Sequence, residues 1–330
     1  MLDESTLAFR QLSPDAVLDA VESKGYVCDG HLLALNSYEN RVYQVGIEDE
    51  QPIIAKFYRP GRWSDAVIEE ELIFTAELNQ DEIPVIAPLI DQQGHMLHHH
   101  QVYRFSLYPR RGGHAPELDN PDHLEQLGRL IARIHNIGAS KPFEQRKVLN
   151  SELMGTLPRA YVLQSGMIPA GLETAYATLT EDLLVLIDAC YQRAGQVATL
   201  RLHGDCHPGN ILNRGEQFYI LDFDDSCTGP AIQDLWMFLS GDRQNMTTGL
   251  LDVLEGYTQF RDFNPAELHL IEALRTLRQI HYTAWIAKRW EDPAFPKAFP
   301  WFDTPRYWEN HILELREQMA LMQEAPIVWN

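Results

Sequence analysis

The chain has 330 residues, 45% of them hydrophobic and 22% charged, and 47 Asp and Glu against 27 Lys and Arg give a net charge of −20. That is a globular composition, with room for one large domain or two lobes. It lacks the basic footprint of a nucleic-acid binder and of a polybasic membrane anchor, but a nucleotide stays possible because magnesium can neutralise phosphates locally.

The first residues, MLDESTLAFRQLSPDAVLDAV, are acidic and lack the charged-then-apolar layout of a signal peptide. No run of 18 apolar residues predicts a membrane span, so a cytoplasmic location is expected. Cys28, Cys190, Cys206 and Cys227 form no CxxC pair and read as buried or incidental thiols of a reducing compartment. Cys206 lies inside the motif described below and is a candidate reactive thiol.

Residues 13–25 predict a helix, with Ser13 as cap, Pro14 in the first turn and Gly25 past the end. Strands follow at His31–Leu35, Arg41–Glu48 and Pro52–Tyr58, then a helix at Ser64–Leu78 and strands at Pro88–Asp91 and Val102–Tyr108. Leu107–Gly113 reads as a joint. Beyond it, Leu124–Asn136 and Thr174–Arg193 have helical periodicity, and short strands return at Thr199–Leu202 and Phe218–Leu221. From Ile232 the chain reads as helices, interrupted by a Pro/Phe/Trp-rich loop over Asp292–Thr304. The fold class predicted from these elements is α+β and two-lobed. Residues 1–107 form an antiparallel-sheet lobe with one main helix, and residues 108–330 a larger helical lobe.

The stretch LRLHGDCHPGNIL, followed by FYILDFDDS, carries the chemistry. Asp205 and Asn210 have the Asp-x4-Asn spacing of the kinase loop H-R-D-x-x-x-x-N, and Asp222-Phe223 ends the next strand as D-F-G does. Phosphoryl transfer needs a carboxylate to orient the attacking hydroxyl and accept its proton, the role read for Asp205. It also needs hard oxygen ligands for Mg2+, which Asn210 and Asp222 supply, with ATP as co-substrate. The same reading asks for a strand lysine and a helical glutamate. Lys56 in PIIAKFY is the lysine. Of Glu69, Glu70 and Glu71, Glu71 shares the apolar stripe of Val67, Phe74 and Leu78 and is preferred, with Glu70 second and both Glu69 and Glu70 expected to be more solvated.

There are departures from that pattern. LNSYENRVYQV puts Leu35, Ser37 and Asn40 where phosphate-loop glycines would stand. Ser37 is the candidate ATP contact, and Asn40 is a second donor that tolerates left-handed backbone. Gly204 replaces the Arg of H-R-D, and only about nine residues separate Asp222 from the helix expected near Ile232, so a phosphorylation-read activation segment is not expected. Asp224 replaces the DFG glycine. It or Asp225 is a further metal neighbour or, equally, a helix cap. Asp234 in GPAIQDLWMFL reads as a buried carboxylate holding catalytic-loop amides. His95, His98, His99 and His100 alternate faces on a strand and cannot converge on one metal. AFPKAFPWF reads as packing, and Arg110 and Arg111 as a solvated pair with a substrate role left open.

HGDCHPGN, LDFDD and GPAIQDLW resemble the aminoglycoside phosphotransferase and choline kinase superfamily, which has a protein-kinase-like fold. LNSYENRVYQV, KFYRPGRW and RLHGDCHPGNIL are similar to a narrower family of bacterial stress-response kinases. That resemblance implies a cytoplasmic serine/threonine protein kinase that uses ATP and Mg2+, autophosphorylates and supports survival under envelope or oxidative stress. It implies Asp205 as proton acceptor, Asn210 and Asp222 at magnesium, Asp222 also as an active-site residue, and Ser37 at ATP. The residues alone favour a small-molecule kinase, since no ordinary activation segment exists to dock a peptide; the resemblance favours protein hydroxyls. The acceptor protein is unidentified, and a monomer is expected.

Overall fold

A computed structural model of the chain describes residues 9, 11–215 and 217–329. Residues 1–8 and 10 of the N-terminal stretch read above lie outside them. The chain divides into two compact units. The first holds residues 1–117, 143–146 and 207–226, and the second holds residues 118–142, 147–206 and 227–330.

The first unit begins with α1 (Pro14–Glu22), capped by Ser13, whose hydroxyl accepts from Ala16 N. Its sheet contains β1 (Cys28–Ala34), β2 (Arg41–Ile47), β3 (Ile53–Phe57), β4 (His98–His100) and β5 (Tyr103–Pro109), antiparallel throughout in the order β1-β2-β3-β5-β4. Alternation along β3 decides what each face does. Ile53, Ala55 and Phe57 pack with Val17, Ala20 and Val21 of α1 and with Phe105 and Leu107. Lys56 falls on the other face. Tyr58, which shares that face by period two, packs against Ile68 and Leu72 of α2 (Asp65–Gln80). Each fully buried aliphatic or Phe side chain contributes about 1.5–3 kcal/mol.

The strand expected at Pro88–Asp91 does not form. Pro88 has no N–H to donate, Leu89 makes a single bond to Leu107 O, and Asp91 turns back to accept from His95 N. The edge strand is instead the histidine run β4. Its alternation buries His98 against Phe105 and turns His99 to Asp65, 2.9 Å away. A hairpin, β7 (Ile211–Arg214) and β8 (Gln217–Ile220), joins this unit through backbone bonds between Ile220 and both Pro84 and Ile86.

In the second unit, α3 (Pro121–Gly138) and α6 (Arg243–Tyr257) approach backbone to backbone. A Cβ on Gly128 would run into Val253 O, and one on Gly256 into Glu125 O. The main core joins α4 (Leu157–Gln164), α5 (Glu173–Ala194), α7 (Ile271–Lys288) and α9 (Pro305–Gln323), and Phe295, Phe299 and Phe302 pack there with Trp308. The Pro/Phe/Trp-rich segment is therefore packing material, and it includes the short helix α8 (Ala294–Ala298). The helix expected from Ile232 is two successive 3-10 turns, Ala231–Asp234 and Trp236–Phe238. Among the described residues no helix is long and apolar enough to cross a membrane.

Candidate active site

In the first unit, Lys56 is 6% exposed, and its Nζ lies 2.8 Å from Asp222 Oδ1, 3.4 Å from Glu71 Oε1 and 3.6 Å from Asp224 Oδ1. Burial opposes its charge, yet Asp222, Asp224 and Glu71 together hold its pKa well above the ordinary lysine value. Burial pushes Glu71 up to about 6, with Lys56 pulling down and Asp224 pushing up. Glu69 is exposed, as read from the sequence. Glu70 is half-buried and structural: its carboxylate accepts the backbone N–H groups of Glu144, Gln145 and Arg146 at 2.6–2.9 Å.

Asn210 and Asp222 flank the open end of the hairpin, where Ile211 pairs with Ile220. Leu221 N donates to Asn210 O at 3.0 Å, so the two candidate ligands stand one backbone bond apart. Asp222 has left-handed backbone, with φ 62°, and its side chain is 47% exposed. A non-glycine residue there is uncommon and points to a functional constraint. Phe223 anchors the turn by an edge-on contact with Phe74 of α2.

Asp224 and Asp225 lie inside the 3-10 turn Phe223–Asp225, and among the described residues neither stands at the N-cap of a helix. Asp224 is buried and bonded to Arg62 and Asn40, and Arg62 also reaches Asp225 at 2.7 Å. Burial works against ionisation of Asp224, but Arg62 and Lys56 outweigh it and lower its pKa. Asn40, read as a phosphate donor, instead gives its amide N–H to Asp224 at 3.2 Å and accepts Arg59 N at 3.1 Å. Ser37 donates to Asn40 O at 3.1 Å across the β1–β2 turn, and neither residue has positive φ. Arg110 and Arg111 are exposed, with the Arg111 guanidinium 5.8 Å from the Tyr219 ring centroid.

Arg62 and Arg146 escape the sequence reading. Arg146 is buried and donates to the carbonyls of Phe223, Asp224 and Ser226, and it lies 3.7 Å from Glu71 Oε2. It stands in the loop after α3 beside Lys141, Glu144 and Lys147, and nothing in residue order singles it out from them.

In the second unit, β6 (Leu200–Leu202) pairs with β9 (Cys227–Gly229) and leads into His203-Gly204-Asp205. Asp234 is fully buried and accepts from His203 N and Gly204 N, both at 2.8 Å, and pairs with His135 at 3.2 Å. Burial opposes its charge, but His135 and these amides hold its pKa down. Gln233 donates to Gly204 O at 2.8 Å. The loop preceding Asp205 is thus fixed from below. Asp205 Oδ1 accepts from Arg278 of α7 at 2.7 Å, a partner the sequence reading did not name. Cys206 is buried, and burial raises its pKa well above the usual thiol value, so it is not the reactive thiol considered above.

The sequence matches the phosphotransferase enzyme family, APH, over residues 31–271. It is 41% identical over 326 residues to a Salmonella typhimurium protein named serine/threonine protein kinase RdoA, and 40% identical to stress response kinase A of Escherichia coli. Both alignments cover 99% of this chain and 98% of the relative. Among solved structures, an amicoumacin kinase in complex with AMP-PNP and Ca2+ has a TM-score of 0.72 at 18% identity, covering 99% of this chain and 98% of that one. A microcompartment-associated aminopropanol kinase has a TM-score of 0.70 at 19% identity, covering 92% and 98%. The α+β kinase-like fold is common to them, and the matched segment carries Lys56, Glu71, Asp205, Asn210 and Asp222. The chain belongs to the APH phosphotransferase family and is an ATP-dependent phosphotransferase.

Proposed function

We propose that this chain is a serine/threonine protein kinase that transfers the ATP γ-phosphate to protein hydroxyls, including its own, in a bacterial stress response. The observation that carries this reading is the 41% identity, end to end, with a relative named serine/threonine protein kinase. Asp205 accepts the proton of the acceptor hydroxyl as the new O–P bond forms and the bond from the γ-phosphorus to the bridging oxygen breaks, releasing ADP. Lys56, held by Glu71, engages the ATP phosphates, and Ser37 contacts them from the β1–β2 turn.

The residues present fit magnesium. Asp222 and Asn210 offer hard oxygens one backbone bond apart, and three carboxylates face the single ammonium of Lys56. Among the described residues no three His, Cys, Asp or Glu form a metal cage. That suits a cation bound through one or two protein oxygens plus phosphate. Bound Mg2+ would neutralise and orient the phosphate oxygens.

The second reading is a small-molecule kinase, favoured by the short run between Asp222 and Ala231, which leaves little chain to dock a peptide. Purified protein with radiolabelled ATP separates the two. Label on the chain or on a protein acceptor supports the first reading, whereas ATP consumption on a metabolite panel with no protein label sinks it. Asp205→Ala should lower turnover roughly 10²–10⁴-fold, the scale of a positioned base.

A further inference from the structure

Arg278 sits half-exposed on α7, on the turn between the buried residues Leu274 and Leu277 and the buried Ile280. The helix holds its base firmly, and its terminal nitrogen donates to Asp205 Oδ1 at 2.7 Å. Asp205 is likewise partly open, with 29% of its side chain exposed. An arginine is charged at every working pH. Its guanidinium therefore fixes the Asp205 carboxylate and places a positive charge beside any hydroxyl that reaches that carboxylate.

That second effect bears on the acceptor. In an amino alcohol the ammonium lies a carbon or two from the hydroxyl, so the guanidinium and the ammonium repel at contact range. A serine or threonine in a peptide carries neutral amides at that distance. Because Asp205 offsets Arg278 farther out, the discrimination acts only at close range. Repulsion of the wrong partner is a common source of specificity.

We propose that Arg278 is a positioning and acceptor-selecting residue: it holds Asp205 in place and turns the site away from amino alcohols, towards hydroxyls with no adjacent cation. This rests on Asp205 being the proton acceptor and deepens the protein-hydroxyl reading.

The test compares a serine peptide with uncharged neighbours and 1-amino-2-propanol as acceptors for the full chain with ATP and Mg2+. For Arg278→Gln, kcat on the peptide should fall roughly ten- to a hundredfold with KM for ATP unchanged, the scale of one charge contact at a half-exposed position. The peptide-to-amino-alcohol ratio of kcat/KM should narrow. Added guanidinium should restore part of the rate to Arg278→Ala and none to wild type. An unchanged kcat or ratio in Arg278→Gln overturns the proposal. So does a loss matched by a raised KM for ATP and not rescued by guanidinium, which would mark a merely structural role. Wild-type turnover in Asp205→Asn would instead sink the proton-acceptor reading itself, a separate outcome.

Discussion

Lys56 stands closer to Asp222 than to Glu71, at 2.8 Å against 3.4 Å, and Asp224 is a third carboxylate at 3.6 Å. One buried ammonium therefore holds together three carboxylates from two separate stretches of chain, α2 and the turn after β8. Removing it leaves the buried Glu71 and Asp224 to repel each other and the half-exposed Asp222. Lys56→Met should cost about 3–5 kcal/mol of stability, the usual cost of breaking a buried pair from one side. Its kcat/KM for ATP should fall on the order of 10²–10³-fold, as for loss of one oriented donor. Magnesium should raise the unfolding temperature of the variant more than that of wild type, because a cation that binds the folded acidic cluster relieves its repulsion. Equal increments in the two proteins would show that the cluster is not the source of the loss.

Arg146 ties Glu71 to the turn after Asp222, since it bonds three carbonyls of that turn and lies beside the Glu71 carboxylate. Glu71 titrates at about 6, pushed up first by burial and restrained by Lys56 and Arg146. In wild type the Glu71 charge, and with it the pairing to Lys56, is lost as pH falls through about 6. Arg146→Met removes one restraining cation, so that loss should move towards neutral pH. The acid limb of kcat/KM for ATP should shift upward, and stability should fall by about 3 kcal/mol as buried carbonyls lose their donor. An acid limb that stays in place would detach Glu71 from the activity.

Asp234 holds the backbone of His203 and Gly204 with two short bonds. Asp234→Asn keeps the shape but turns one amide NH2 towards a group that must donate. Turnover should fall at least about tenfold through misplacement of the loop that ends in Asp205, while KM for ATP should hold. A wild-type kcat would mean the loop keeps its place without this anchor.

Much of this arrangement was legible in residue order, and the remainder has a common cause. Periodicity was enough to select Glu71 over Glu69, because the stripe Val67, Glu71, Phe74 and Leu78 is local to one helix. The closeness of Asn210 and Asp222 was likewise local, set by the β7–β8 hairpin between them, and alternation along β3 separated Lys56 from Ala55 and Phe57. The arginines were not legible. Arg62 meets Asp224 across 162 residues, Arg146 reaches it across 78, and Arg278 reaches Asp205 across 73. No periodicity ties a long flexible side chain to a partner so distant. The same holds for Asn40, whose turn position suggested a phosphate donor until Asp224 was seen to take its amide. The helix expected at Ile232 gave way to 3-10 turns, in which Gln233 and Asp234 both turn inward to hold the 203–204 backbone.

Glu267 supports that same turn by accepting the N–H of Ile232 at 2.9 Å. It is 4% exposed, and burial lifts its pKa to about 7, against the pull of the Ile232 and Ala231 amides and of Arg261. The folded chain therefore binds a proton that the unfolded chain releases near the ordinary glutamate value of about 4.3. Between those limits the folded state holds more protons, so stability falls as pH rises. The contribution is fully present below about pH 4.3 and lost as pH rises through about 7, with a span of roughly 3–4 kcal/mol. Glu267→Gln keeps an acceptor for Ile232 without the charge, so it should be more stable than wild type above pH 7 and flatter in its pH dependence. Chemical unfolding midpoints measured at acidic and at mildly alkaline pH give the comparison. A variant that follows the wild-type curve in parallel would place the pH dependence elsewhere in the chain.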